Sequence, residues 1–245
     1  MTDPDGTRRD MGRYIFNQPY QEPTWYVAVD GDASNGDGSE ENPFATIQAG
    51  INNAQTGDTV LVGPGVYAGA GNYNIYFNGK AVTLRSMEGP DSTIIDCESV
   101  SGRRALVFQP HGSYPGETEA TLIEGLTIQN GYFSDGTDGG GIYINDASPT
   151  FNNCIIRDNE VYHNAHNSNP YGGGIYITNS SSSFTNCSII DNKTNGIVNY
   201  GGELHTYSYG GGMYIENSNI TMDECLISGN WSYGDDEHDD DRSRA

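Results

Sequence analysis

The chain has 245 residues, with 33 Asp and Glu against 11 Lys and Arg, a formal charge of −22, 33 glycines and 35% hydrophobic residues. Eleven cations spread along the sequence build no basic surface of useful size, which excludes electrostatic binding to nucleic acid or anionic membranes and leaves neutral, cationic or metal-bridged partners. No apolar run reaches membrane-spanning length, and the opening Met1–Arg9 lacks the hydrophobic stretch of a signal peptide.

In chain order, Trp25–Val29 reads as a strand. The stretch Asp30 to Glu41 follows, with oxygen ligands Asp30, Asp32 and Glu41 at EF-hand-like positions, so calcium is the cofactor to weigh there, although such a stretch before a helix is most often a turn. Phe44, Ile47, Ile51 and Ala54 space an apolar stripe that predicts a helix with Asn42 as N-cap, Pro43 at its first position and Gly57 beyond its end. That helix is expected to close the end of whatever begins at Asp58–Val62. Ile75–Phe77 with Val82–Leu84, and Ala105–Phe108 with Leu122–Ile128, are two faint repeats.

From residue 139 the repeat is plain. Gly139-Gly140-Gly141-Ile142-Tyr143-Ile144 recurs at Gly172 and, as Gly-Gly-Gly-Met-Tyr-Ile, at Gly210. Each first Gly is followed 20 residues later by Asn (139 to 159, 172 to 192, 210 to 230), while the periods are 33 and 38 (139 to 172, 172 to 210). A fixed part with one variable connection per period is the mark of a solenoid of short strands. Three alternating runs per period predict a triangular coil of parallel strands stacked about 4.8 Å apart. The inward columns are Leu126/Cys154/Cys187/Cys225, Ile128/Ile156/Ile189/Ile227 and Ile123/Phe151/Phe184/Met222, with Asn159, Asn192 and Asn230 as an internal amide ladder. The fold class is therefore all-β, a parallel β-helix with a short N-terminal capping helix. Its domains are 1–24 (leader or tail of a preceding module), 25–70 (cap and first strand), 71–230 (coils) and 231–245 (an acidic, disordered loop).

The cysteine column reads as small buried apolar residues. Tyr143, Tyr176 and Tyr214 form an outward column, an aromatic stripe suited to sugars, although such rings also simply stabilise a sheet face. The variable connections add Tyr162, His163 and Tyr207 as candidate substrate-binding residues, since loops on a rigid scaffold usually carry binding.

Trp25 to Asp32, Pro43 to Gln48 and Gly57 to Tyr67 resemble the capped N-terminus of secreted right-handed parallel β-helix proteins of the pectin-lyase-like superfamily, and residues 139 to 230 resemble their repeats. Asp3–Gly12 resembles the segment that leaves the last coil of such proteins, which implies a piece of a longer extracellular or cell-surface chain, a monomer or part of that chain. The superfamily holds both enzymes and binding proteins, so fold does not give function. The resemblance implies, for a calcium-dependent lyase, clustered acidic residues and a Lys or Arg base. Asp158 and Asp191 as metal ligands, with Lys193 and Arg157 as the base, are the one constellation of that kind, but the larger Asp cluster is missing. The expectation is thus a non-catalytic binding or adhesive module for a polysaccharide or cell-surface glycan, with a polysaccharide lyase as the alternative.

Overall fold

The computed structural model describes residues 23–134, 138–163, 169–196, 207–234 and 243–244. The leader 1–22, His166, His205 and the acidic run 235–242 lie outside them. Short strands fall on four sheets, visited in the same order in every full coil. Sheet 1 holds Ile75–Tyr76, Leu106–Phe108, Ile142–Asn145, Ile175–Thr178 and Met213–Glu216. Sheet 2 holds Thr24–Asp32, Thr59–Val62, Thr83–Ser86, Leu122–Glu124, Thr150–Asn152, Ser183–Thr185 and Thr221–Asp223. Sheet 3 holds Gly65–Tyr67, Thr93–Asp96, Thr127–Gln129, Ile155–Arg157, Ser188–Ile190 and Leu226–Ser228. Sheet 4 holds Tyr132–Phe133, Glu160–His163, Lys193–Gly196 and Trp231–Gly234, with Ser243–Arg244 antiparallel on its edge.

From Leu106 onward the expected triangle is therefore corrected to a coil of four strands, while the described strands before it use three sheets. The fourth was hidden because its inward column runs Phe133, Val161, Thr194, Ser232, changing from apolar to hydroxyl along the stack. Val161 and Thr194 are both fully buried, and the Thr194 and Ser232 hydroxyls lie 3.0 Å apart. A buried hydroxyl with a partner is tolerated in the core but gives no hydrophobic alternation to read. Trp231–Gly234 belongs to this sheet and is a strand, where a loop was expected.

The predicted inward columns are in register: Ile123, Phe151, Phe184 and Met222 on sheet 2, and Ile128, Ile156, Ile189 and Ile227 on sheet 3. Phe151 and Phe184 stack at 4.8 Å and 3°, one ring per coil. Ile227, which no described coil covers, is 50% exposed, whereas Ile189 beneath it is fully buried. The longer period is absorbed in one connection. His163 aligns with Gly196, 33 positions on, but Asn169 bonds Tyr207 and Tyr171 bridges Tyr209, both 38 positions on.

Corners explain much of the polar composition. Asp146, Asn179 and Asn217 turn the chain from sheet 1 to sheet 2, and Asn153, Asn186 and Glu224 turn it from sheet 2 to sheet 3, all with φ between 47° and 52°. Asn and Asp adopt this left-handed conformation at low cost, because their side chains bond locally. The glycine triplet makes the return from sheet 4 to sheet 1. Gly172 has φ 63°, and a Cβ on Gly173 would collide with the carbonyl oxygens of Lys193 and Gly211.

Helix α1, Ile47–Asn53, covers the first coil with Ile47, Gly50 and Ile51 buried. Its N-cap is Thr46, whose hydroxyl accepts from the Ala49 N–H at 3.3 Å, and not Asn42 as the sequence pattern suggested. Phe44 is bridged to Val27 and Asp32 and stacked on Trp25, so this stretch is held extended and helix formation is delayed to Ile47. Asn42 instead closes the preceding loop, its side-chain N–H donating to Asn35 O at 2.9 Å. Among the described residues no helix is long and apolar enough to cross a membrane.

Candidate functional site

The outward column of sheet 1 runs Tyr76, Val107, Tyr143, Tyr176, Tyr214, one residue per coil. Tyr143 and Tyr176 stack at 5.3 Å and 9°, Tyr176 and Tyr214 at 5.6 Å and 14°. Stacking of this kind uses the ring faces on one another. The sequence suggested platforms on which a sugar would lie flat; what the coils present is a rail of ring edges and hydroxyls. None of these three hydroxyls has a partner among the described residues. Burial, and then the neighbouring Asp138, push the Tyr176 phenol up to about 12, so it keeps its proton and can donate at neutral pH.

A second ladder flanks the rail. Tyr171 and Tyr209 stack at 5.2 Å and 7°, Tyr171 reaches Tyr214 at 4.6 Å, and Tyr207 lies 6.4 Å from Tyr209. Tyr207 and Tyr209 are 53% and 41% exposed. Six tyrosines thus converge on one side of the coil. Tyr162 and His163 do not join them: both are on the sheet 4 strand Glu160–His163, and His163 is buried, not a loop residue.

Two residues that sequence reasoning passed over tie the ladders together. Arg104, 4% exposed, lays its guanidinium 4.0 Å from the Phe133 centroid and 5.0 Å from that of Tyr143, and donates to the Asp138 backbone carbonyl at 2.6 Å. The Asp138 carboxylate accepts the Tyr171 N–H at 3.0 Å. Asp138 precedes Gly139 as Tyr171 precedes Gly172 and Tyr209 precedes Gly210, so the break in an aromatic column was the available signal.

Burial pushes the Asp138 carboxyl up to about 6 from an ordinary value near 3.8, against the Tyr171 bond and the Arg104 charge, which pull it down. A carboxyl whose pKa is raised on folding favours the folded state fully below its unfolded value and loses that contribution as pH rises through the folded value. The melting temperature of the wild type is therefore expected to carry a component that declines between about pH 4 and pH 7. Asp138→Asn, which keeps an oxygen for Tyr171, removes it. Solvent screening at this half-buried site holds the swing to about 1 kcal/mol or less. Identical pH profiles for the two proteins count against a perturbed Asp138.

The lyase-type constellation is assembled differently. Asp158 and Asp191 stack at the corner between sheets 3 and 4, each with φ 55°, which gives them a backbone reason to be there. Lys193 pairs with Glu160 at 3.0 Å, and Arg157 lies 3.8 Å from Asp158. Near the cap, Asp32 accepts the N–H groups of Ser34 and Asn35 at 2.8 and 2.9 Å, which lower its pKa, while Asp30 is part of the strand Thr24–Asp32 and Glu41 follows in the loop. These are the bonds of a turn. Among the described residues no group of three or more His, Cys, Asp or Glu could hold a metal ion.

The four cysteines are free thiols. Cys154 donates to the Ile123 and Asn152 carbonyls, and its bond with Cys187, together with burial, pushes its pKa well up, so these are packing residues with a weak donor.

Solved structures with a similar course of chain include pectate lyase Pel9A (15% identity over 84% of this chain and 63% of that one, TM-score 0.44) and a rhamnogalacturonan lyase (14%, 84% and 68%, 0.39). Escherichia coli YbhC is a third (14%, 92% and 76%, 0.42). The chain thus spans less than two thirds of the pectate lyase's length. No curated protein matched by sequence. The family model described as the right-handed β-helix region matches residues 51–235. With parallel sheets in register among the described residues of that span, the chain belongs to the right-handed β-helix family.

Proposed function

We propose that this chain is a non-catalytic glycan-binding module of an extracellular or cell-surface protein, and that the tyrosine rail of sheet 1 is its binding face. The observation that carries the reading is the in-register column Tyr143, Tyr176, Tyr214 with the Tyr171/Tyr209 ladder beside it. The rings, each with its hydroxyl, repeat once per coil at 5.3 and 5.6 Å. An extended polysaccharide repeats its own hydroxyls at a comparable interval, so one ligand lying along the axis would meet several phenols at once. The formal charge of −22 favours uncharged glycans over polyuronates.

Because the ring faces are occupied, binding should depend on the hydroxyls alone. The triple variant Tyr143→Phe/Tyr176→Phe/Tyr214→Phe is expected to keep its melting temperature and lose at least about tenfold in affinity for a glycan identified on an array. Three hydrogen bonds of about 1 kcal/mol each give that order of effect. Unchanged affinity in the variant sinks the reading.

One observation favours the runner-up, a carbohydrate-active enzyme. Burial pushes the Asp138 carboxyl up to about 6, and Arg104 donates to the backbone carbonyl of the same residue, which makes Asp138 the candidate proton-exchanging group on this face. Turnover of the bound glycan that is lost in Asp138→Asn with binding intact would promote the enzyme over the binding module.

A further inference from the structure

The rail has one gap. Along the column Tyr76, Val107, Tyr143, the middle coil carries a short aliphatic side chain where its neighbours carry rings. Two coil spacings separate the flanking tyrosines, about 9.5 Å. The structure shows a cavity of about 360 Å³ there, lined among others by Tyr76, Val107, Tyr143, Arg104, Phe133 and Gln109. That volume lies within the range of small-ligand sites.

The walls differ in chemistry. Tyr76 is the open ring wall, Tyr143 faces it with the Arg104 guanidinium 5.0 Å from its centroid and Tyr176 stacked behind, and Val107 is the apolar floor, only 5% exposed beneath them. Arg104 closes one side, its guanidinium held by Phe133 and by the Asp138 carbonyl, so it is fixed in place before any ligand arrives. Asn74, also at this cavity, accepts the Arg104 N–H at 3.2 Å and donates to the Gly102 carbonyl at 3.0 Å, which pins the segment carrying Arg104. Gln109 adds an amide at the rim.

We propose that this slot is an insertion subsite for a single uncharged pyranose ring, which enters between Tyr76 and Tyr143 over Val107. The proposal rests on the glycan-binding reading of the rail and goes beyond it, because the rail offers only edges while at the slot the succession of column tyrosines is interrupted by Val107. One C–H face of a pyranose matches the Tyr76 ring, and its hydroxyls match the guanidinium that lies against Tyr143, the amide and the two phenols. An uncharged ring is preferred to a uronate because the one cation of the slot already serves the Asp138 carbonyl, the Asp138 carboxyl sits beside it, and the whole chain is strongly acidic.

The test uses the full chain with valine methyls labelled for NMR, titrated with a neutral oligosaccharide found on the array and with its uronate counterpart. The Val107 methyl resonances are expected to shift on adding the neutral ligand. Val107→Phe, which fills the gap with a ring, is expected to weaken binding at least about tenfold. Tyr76→Ala, which removes one wall and leaves Tyr143, Tyr176 and Tyr214 in place, is expected to do the same and keeps the test valid if the larger side chain is not accommodated. Wild-type binding that is lost in the triple Tyr-to-Phe variant but unchanged in Tyr76→Ala, with still Val107 methyls, overturns the slot and leaves the rail. Absence of binding to any glycan by the wild type overturns both, and tighter binding of the uronate overturns the preference for a neutral ring.

Discussion

Replacing Asn192 by Asp is expected to prevent folding, although the two side chains have the same shape. Asn192 is fully buried, and its amide nitrogen donates to the carbonyls of Ile156 at 2.9 Å and Ile190 at 3.0 Å and to the Asn230 side-chain oxygen at 3.0 Å. Its own side-chain oxygen accepts the Asn159 backbone N–H at 3.1 Å and the Asn159 side-chain N–H at 2.9 Å. The amide thus meets five polar partners on three successive coils, its two N–H groups shared among three acceptors. Aspartate would set an acceptor against three acceptors and bury a charge, a change well above about 5 kcal/mol and comparable to the whole stability of a domain. Asn192→Ala leaves a cavity and removes these contacts but buries no charge, and Asn159 and Asn230 keep other partners, so it should cost less, about 3 to 5 kcal/mol. Chemical denaturation of the two variants checks the order. If Asn192→Asp proves as stable as Asn192→Ala, the ladder is not what holds the coils at this corner.

Ile189→Asp is expected to be as severe by another route. Ile189 is fully buried between Ile156 and Ile227 in the sheet 3 column, and it has no polar neighbour in that column to receive a carboxylate. An unpaired buried charge exceeds about 4 kcal/mol, while the control Ile189→Val should cost only about 0.5 to 1.5 kcal/mol. Circular dichroism melts read both. The equivalent change at Ile227, which is 50% exposed in this chain, should cost far less than at Ile189. Equal losses at the two positions would show that column membership, and not burial, sets the effect.

What the sequence determined by itself was the order of residues along the solenoid axis. The glycine triplets, the constant 20-residue spacing to Asn159, Asn192 and Asn230, and the recurrent Ile and Phe positions specify which residue lies over which. Parallel in-register stacking turns a period in the chain directly into a column in space, so the Phe151/Phe184 stack, the amide ladder and the Tyr143/Tyr176/Tyr214 column were all legible. Asp158 and Asp191 were legible as a column too, but their φ of 55° was not, and with it their role at a corner.

Only the tertiary structure decided what lies around the axis. The fourth strand escaped because a hydroxyl buried against another hydroxyl, as at Thr194 and Ser232, leaves no hydrophobic alternation. The planes of the tyrosine rings depend on side-chain torsions and on the neighbours one coil away, and these turned expected platforms into a rail of edges. Val107 is an unremarkable residue in the sequence. It becomes a gap only because parallel register sets Tyr76 below it and Tyr143 above. Arg104 and Asp138 are 34 positions apart and meet because the chain makes one full circuit of the coil between them, a proximity that the register creates and that residue type alone does not reveal.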